Sequence, residues 1–194
     1  MLLLKQIFII IFIILAILSI YFGSYLPLVK ARRYVAALRS NQNVKTLEDF
    51  KANFDKSFTF YSPIGDEEIA KFLSSDILTI IASQNQQEKI DRALVDYLEP
   101  YAFKNNVRHL MVMGQMHGVI WEKYGRKEED FQKAEEYWQK AFVIGPKLPP
   151  VLYGMLNLYQ AKGDQEKIKE ISEIIIQYWP EDEKIKLLLS ELKK

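Results

Sequence analysis

The strongest constraint on this chain is the stretch "IFIIIFIILAILSIYF" at residues 7–22, which has no charge and almost no polar side chain. From Gln6 to Val29 only the ends are polar. The apolar run is thus about 20 residues or slightly more, and at ~1.5 Å per residue it matches a hydrocarbon core of ~30 Å. A helix satisfies its own backbone, as lipid requires. Tyr21 and Tyr25 stand where interfacial aromatics would sit. Pro27 falls near the expected helix end, where a missing N–H does little harm. A cleaved signal peptide needs a shorter apolar region and small residues before the cut. Cleavage after Ser24 would put Phe22 at the third residue back, a poor fit. A core helix is rarely apolar on every face at this length. The expectation is one transmembrane helix in residues 1–29, meeting the bilayer through residues 7–29.

The flanks suggest an orientation. Lys30, Arg32, Arg33, Arg39 and Lys45 follow the run, with no acid until Glu48, whereas the near side has only Lys5 and the amino terminus. The positive-inside rule then puts the rest of this single-pass protein in the cytoplasm. Residues 30–46 read as a basic juxtamembrane segment. It is either an amphipathic helix with a solvated face or a contact to anionic headgroups, at ~1 kcal/mol per basic residue. The 194 residues suit one modest domain plus an appendage. A formal net charge of +1 suggests no polyanionic partner, and acids interleave with bases after residue 50, which argues against nucleic acid. The chain has no cysteine, so disulfides and thiolate metal sites are excluded, while the redox compartment stays open.

Beyond residue 44 the apolar spacing is helical throughout, and no stretch alternates with a period of two. In "LEDFKANFDKSF", Leu47, Phe50, Phe54 and Phe58 share a face. "SPIGDEE" supplies a turn and an acidic helix start. The next helix should bury Ile69, Phe72, Leu73, Ile77, Ile80 and Ile81, and the one after it Ile90, Ala93, Leu94, Tyr97 and Leu98, ending near Pro100. A further helix places Val107, Leu110, Met111, Gly114, Gly118 and Trp121 on one side and closes at Gly125. Helices joined by short polar turns make an all-α domain of antiparallel neighbours.

The C-terminal half repeats. Stepping 34 residues forward carries Pro146 onto Pro180, Ala141 onto Ile175 and Ala134 onto Ile168, while Trp138 falls on Ser172. With four extra residues allowed in the first turn, within "RKEED", Trp121 matches Tyr159, each four residues before a glycine (Gly125 and Gly163). These elements resemble the tetratricopeptide (TPR) pattern, W-x2-L-G-x2-Y followed by Ala, an aromatic and Pro. The resemblance covers residues 111–146 and 149–182, with "EDEKIKLLLSELKK" as a closing helix. The second motif departs from the pattern by carrying isoleucines where small contact residues belong. The fold expected is therefore an all-α, TPR-like helical-hairpin solenoid preceded by one transmembrane helix. Residues 47–106 would form degenerate repeats, and residues 107–194 two repeats with a closing helix.

A second resemblance spans nearly the whole chain. An apolar helix, then "LPLVKARRYVAALRS", then "LEDFKANFDKSFTFYSPIGDEEI" is similar to the tail of O-antigen ligase-like membrane proteins, which end in helical repeats. The earlier spans of such proteins and any glycan-transfer loop are missing, so no transferase activity carries over. This resemblance implies a detached accessory tail of a surface-polysaccharide system.

Candidate chemistry is sparse. His109 and His117 lie eight apart on one helix, turned by roughly 80° from each other, with no carboxylate at metal-binding spacing. The acid clusters 66–68 and 128–130 open helices, where a solvated role complementing the helix dipole is expected. No phosphate-loop, nucleophile-elbow or dinucleotide fingerprint occurs. The expectation is a scaffold with no catalysis and no cofactor, binding a protein or peptide partner. In TPR hairpins the first helix of each pair lines the binding surface. By resemblance that points to Gln115, Val119, Glu122, Tyr153, Asn157 and Gln160, with Asn157 able to clamp a peptide backbone through both amide donor and acceptor.

Overall fold

The computed structural model describes residues 2–41, 46–84 and 86–192. Among them every regular element is helical and no strand occurs. Lys45, counted above in the basic flank, lies outside the described residues. The chain divides into two compact units, residues 1–72 and 73–194.

In the first unit, α1 (Leu2–Ile20) passes through a single π turn (Tyr21–Tyr25) into α2 (Leu26–Asn41). The stretch Leu4–Ser40 is long and apolar enough to cross a membrane, and none of its most apolar window is buried against the rest of the protein. Pro27 does not end this helix, as the sequence suggested; it sits in the first turn of α2, with 14 more helical residues after it. Proline cannot supply the N–H that would meet the carbonyl four residues back. The ladder adjusts just before it, where the Leu26 N–H reaches the Tyr21 carbonyl across a wider π turn.

Leu26, Lys30, Tyr34 and Ala37 recur at helical spacing on α2 and are buried. They face α3 (Leu47–Phe58), which buries Phe50, Phe54 and Ser57. The Tyr34 and Phe54 rings lie 5.9 Å apart. Thr46 caps α3 by accepting from the Asp49 N–H at 3.1 Å and donating to its carboxylate at 2.7 Å. The basic segment is only partly solvated. Lys30 is 1% exposed, pairs with Asp66 and donates to the Phe60 carbonyl at 2.8 Å. Arg33 donates to the Lys56 carbonyl and lies 4.2 Å over the Phe60 ring. Burying an ammonium is tolerable only with such partners.

The second unit begins within α4 (Asp66–Ala82) and continues through α5 (Glu88–Leu98), a 3-10 turn (Glu99–Tyr101), α6 (Val107–Lys123), α7 (Glu128–Ile144), α8 (Pro149–Lys162), α9 (Gln165–Tyr178) and α10 (Glu183–Glu191). Leu73, Ile77 and Ile81 are fully buried, each contributing about 1.5–3 kcal/mol. Phe72, expected with them, is exposed, because the buried face of α4 runs along Ile69, Leu73, Ile77 and Ile81 with Ala70 and Ser74 on its other flank. Helices α6 and α7 pack as one hairpin and α8 and α9 as another. Gly125 and Gly163 turn the chain with positive φ (87° and 83°), a conformation without penalty only for glycine. Three of the pairs made by the 34-residue step are buried, Ala134 with Ile168, Trp138 with Ser172 and Ala141 with Ile175, while Pro146 and Pro180 are exposed.

Candidate functional site: the groove between α6 and α8

Two polar clusters tie α5 to its neighbours. Asp91, fully buried on α5, accepts from Lys123 Nζ at 2.8 Å, with its same oxygen 2.7 Å from the Tyr124 hydroxyl. Lys123 also donates to the carbonyls of Ile81 and Ser83, so the end of α4, α5 and the end of α6 are tied at one point. Arg92 forms a two-pronged pair with Asp130 at the start of α7, both bonds 2.7 Å. The guanidinium holds the Asp130 carboxyl below its usual range. The acid cluster at 128–130 is therefore not wholly solvated as expected: the Asp130 side chain is 4% exposed. Its partner lies 38 residues earlier, beyond the reach of a local reading.

His117 is buried and stacks face to face on Tyr137, 5.5 Å between centroids and 7° from parallel. Burial, with Lys133 nearby, lowers its pKa. The Tyr137 hydroxyl donates to Glu99 at 2.5 Å, so burial and this bond push the phenol upward. Among the described residues no group of three or more His, Asp or Glu could hold a metal ion. His109 instead accepts the Phe103 N–H through Nδ1.

Against this scaffold α6 and α8 enclose a groove of ≈ 390 Å³. Helix α6 contributes Gln115, Val119 and Glu122 with Gly114 and Gly118 between them; α8 contributes Gly154, Asn157 and Leu158. Trp138 of α7, 3% exposed, forms the floor. Its indole fits there because neither neighbour carries a side chain. A Cβ on Gly114 would stand 2.9 Å from the ring, and one on Gly154 would overlap it. Leu78 and Ala82 on α4 add an apolar rim.

Of the six residues nominated from sequence, the structure brings Gln115, Val119, Glu122 and Asn157 to this groove. Tyr153 and Gln160 are not among its lining residues. The Tyr153 hydroxyl is bonded to Asp182, which caps α10 through the Ile185 N–H at 3.1 Å. That bond, with some desolvation, raises the phenol to about 12. Tyr153 therefore fastens the closing helix, and Gln160 projects into solvent. The sequence reading missed the floor and the rim. Its one available signal was Gly154, a glycine in mid-helix that must have a packing reason. Chemically the site offers an apolar floor, amides from Gln115 and Asn157, and the Glu122 carboxylate, and holds no nucleophile paired with a base.

The chain matches no protein-family model, no curated protein and no solved structure.

Proposed function

We propose that this chain is a membrane-anchored, TPR-like scaffold whose α6–α8 groove binds a peptide segment of a protein partner. The observation that carries this reading is the convergence of Gln115, Glu122 and Asn157 on an apolar floor. The hydrogen bonds found among the described residues leave these three polar groups unused for packing. The Asn157 amide can meet both the donor and the acceptor of a peptide backbone. Gly118, where an added Cβ would meet only Leu158 Cδ1 at 3.9 Å, leaves room for close backbone approach, Trp138 and Leu158 receive an apolar side chain, and Glu122 favours a basic neighbour.

The repeat reading is supported by the buried pairs at the 34-residue step and by Trp121 and Tyr159. Each is buried and stands four residues before a left-handed glycine. The anchor reading is supported by the exposed apolar surface of α1, where Phe8, Phe12 and Ile17 are 56%, 68% and 61% exposed. Water would not tolerate so large a patch. We place the soluble helices on the cytoplasmic side by the excess of Lys and Arg after the span. Protease protection in intact cells is the expected outcome; cleavage from outside would reverse that orientation.

The binding test uses the full chain in lipid nanodiscs, presented with a displayed library of random peptides. Enrichment of an apolar residue beside a basic one is expected, and it should vanish with Asn157→Ala at unchanged helicity. No enrichment, or the same enrichment with the variant, contradicts the groove reading.

A further inference from the structure

The loop joining α3 to α4, residues 59–65, carries apolar side chains that the first unit leaves uncovered. Tyr61 is 70% exposed and Ile64 59%, and Pro63 between them is exposed as well. Exposed apolar residues scattered singly need no explanation. These are different because the loop is fixed and its place along the α2 helix is defined.

Several contacts fix it. The Ser62 hydroxyl donates to the Ile64 carbonyl at 2.7 Å and closes a tight turn. The Phe60 carbonyl accepts from Lys30 Nζ at 2.8 Å, and its ring lies 4.2 Å under the Arg33 guanidinium. Asp66, just past the loop, pairs with the same Lys30. Gly65 reaches positive φ (110°), and a Cβ there would meet Lys30 Cδ at 3.5 Å. The loop is therefore clamped to α2 at the level of Lys30 and Arg33.

That level lies beside the membrane if the N-terminal helix spans one. Lys30 follows Tyr25 by five residues on a continuous helix, which is ~7.5 Å along its axis. The headgroup layer is ~5–8 Å deep on each side of the hydrocarbon core. With Tyr21 and Tyr25 at the core boundary, stacked 5.6 Å apart, Lys30 stands at headgroup depth. The loop clamped to it stands there too. A tyrosine with an apolar ring and a polar tip suits that layer, and the exposed Ile64 and Pro63 offer it apolar surface.

We infer that residues 59–65 form a second membrane contact, an interfacial loop that seats Tyr61 and Ile64 in the headgroup region of the bilayer crossed by α1. Lys30 and Arg33 then act by holding the loop at this depth rather than by binding lipid phosphate themselves. The inference rests on the reading of the N-terminal helix as a membrane span.

The chain has no cysteine, so single cysteines label cleanly. Ile64→Cys, Tyr61→Cys, Ile14→Cys and Glu48→Cys each carry an environment-sensitive fluorophore on the full chain in nanodiscs. The nanodisc lipids carry quenchers either near the headgroup or at mid-chain. All four positions are exposed, which spares the fold. Labels at residues 61 and 64 should be quenched by the headgroup-proximal probe more than by the mid-chain probe. The label at 14 should respond to mid-chain lipid, and the label at 48, at the far end of α3, to neither. If 14 responds while 61 and 64 match 48, the loop contact is wrong and the anchor stands. If 14 is unquenched, the anchor and the loop contact fall together.

Discussion

Trp138 packs against Gly154 so closely that a methyl group on that glycine would overlap its indole. The ring is 3% exposed, with Gly114 against it as well. Gly154→Ala and Gly114→Ala should each destabilise the second unit by about 1–3 kcal/mol through overpacking. Gly118→Ala should do the opposite. Its added Cβ would meet only Leu158 Cδ1, at 3.9 Å, so the better helix propensity gains about 0.5–1 kcal/mol. Urea unfolding of the three variants measures this ordering; equal effects would mean that Trp138 is loosely held.

The Arg92–Asp130 pair should behave as a unit. Arg92→Ala strands an almost fully buried carboxylate and should cost about 3 kcal/mol. Asp130→Ala after Arg92→Ala should cost much less than it does alone, and the double-mutant cycle reads the coupling. Because Arg92 lowers the Asp130 pKa, the pair's stabilisation is present above the ordinary carboxylate value of 3.8 and is lost as pH falls through the folded value. The acid-unfolding midpoint of Arg92→Ala should therefore move to higher pH. Additive losses and an unmoved midpoint would contradict the coupling.

His117 gives a second pH dependence with a different window. Its pKa is lowered by burial, so the unfolded chain binds the proton more readily than the folded one. Stability is complete above the unfolded value of 6.5 and declines below it until the folded value is reached, by up to ~1.4 kcal/mol per pH unit. His117→Phe keeps the ring stacked on Tyr137 and removes the titration. Unfolding free energies between about pH 7.5 and 5.5 should fall for the parent chain and stay flatter for the variant. The same slope in both would assign the effect to another group.

What could be read in the sequence followed the range of each interaction. Periodicity located the helices, since Leu73, Ile77 and Ile81, or Phe50 and Phe54, declare a face within a few turns. The same rule failed at Phe72, where the apolar surplus on α4 exceeds the stripe that is covered. Lys30, Asp66 and Asp130 were read as surface charges, and Arg92, Lys123 and Asp91 drew no reading, because the partners are distant. Lys30 meets Asp66, Arg92 meets Asp130 and Lys123 meets Asp91, each across some thirty residues or more. No local pattern distinguishes such a lysine from a solvated one. Gln115, Val119, Glu122 and Asn157 were nominated through the TPR resemblance, and the fold brings these four to one groove. Tyr153 was misplaced because its phenol turns to Asp182, a contact created only when α10 docks. Leu78 and Ala82 could not be seen, since α4 reaches the groove through tertiary closure alone.

The central claim is that the α6–α8 groove holds a partner's peptide, and site-directed photo-crosslinking of the membrane-bound full chain in cells tests it most directly. A photoreactive residue replacing Val119 lies in the groove, and one replacing Lys169 lies on the exposed face of α9. The expected result is a discrete protein adduct from position 119 that disappears with Asn157→Ala and does not form from position 169. Adducts of equal yield from both positions, or an adduct at 119 indifferent to Asn157→Ala, would contradict the account.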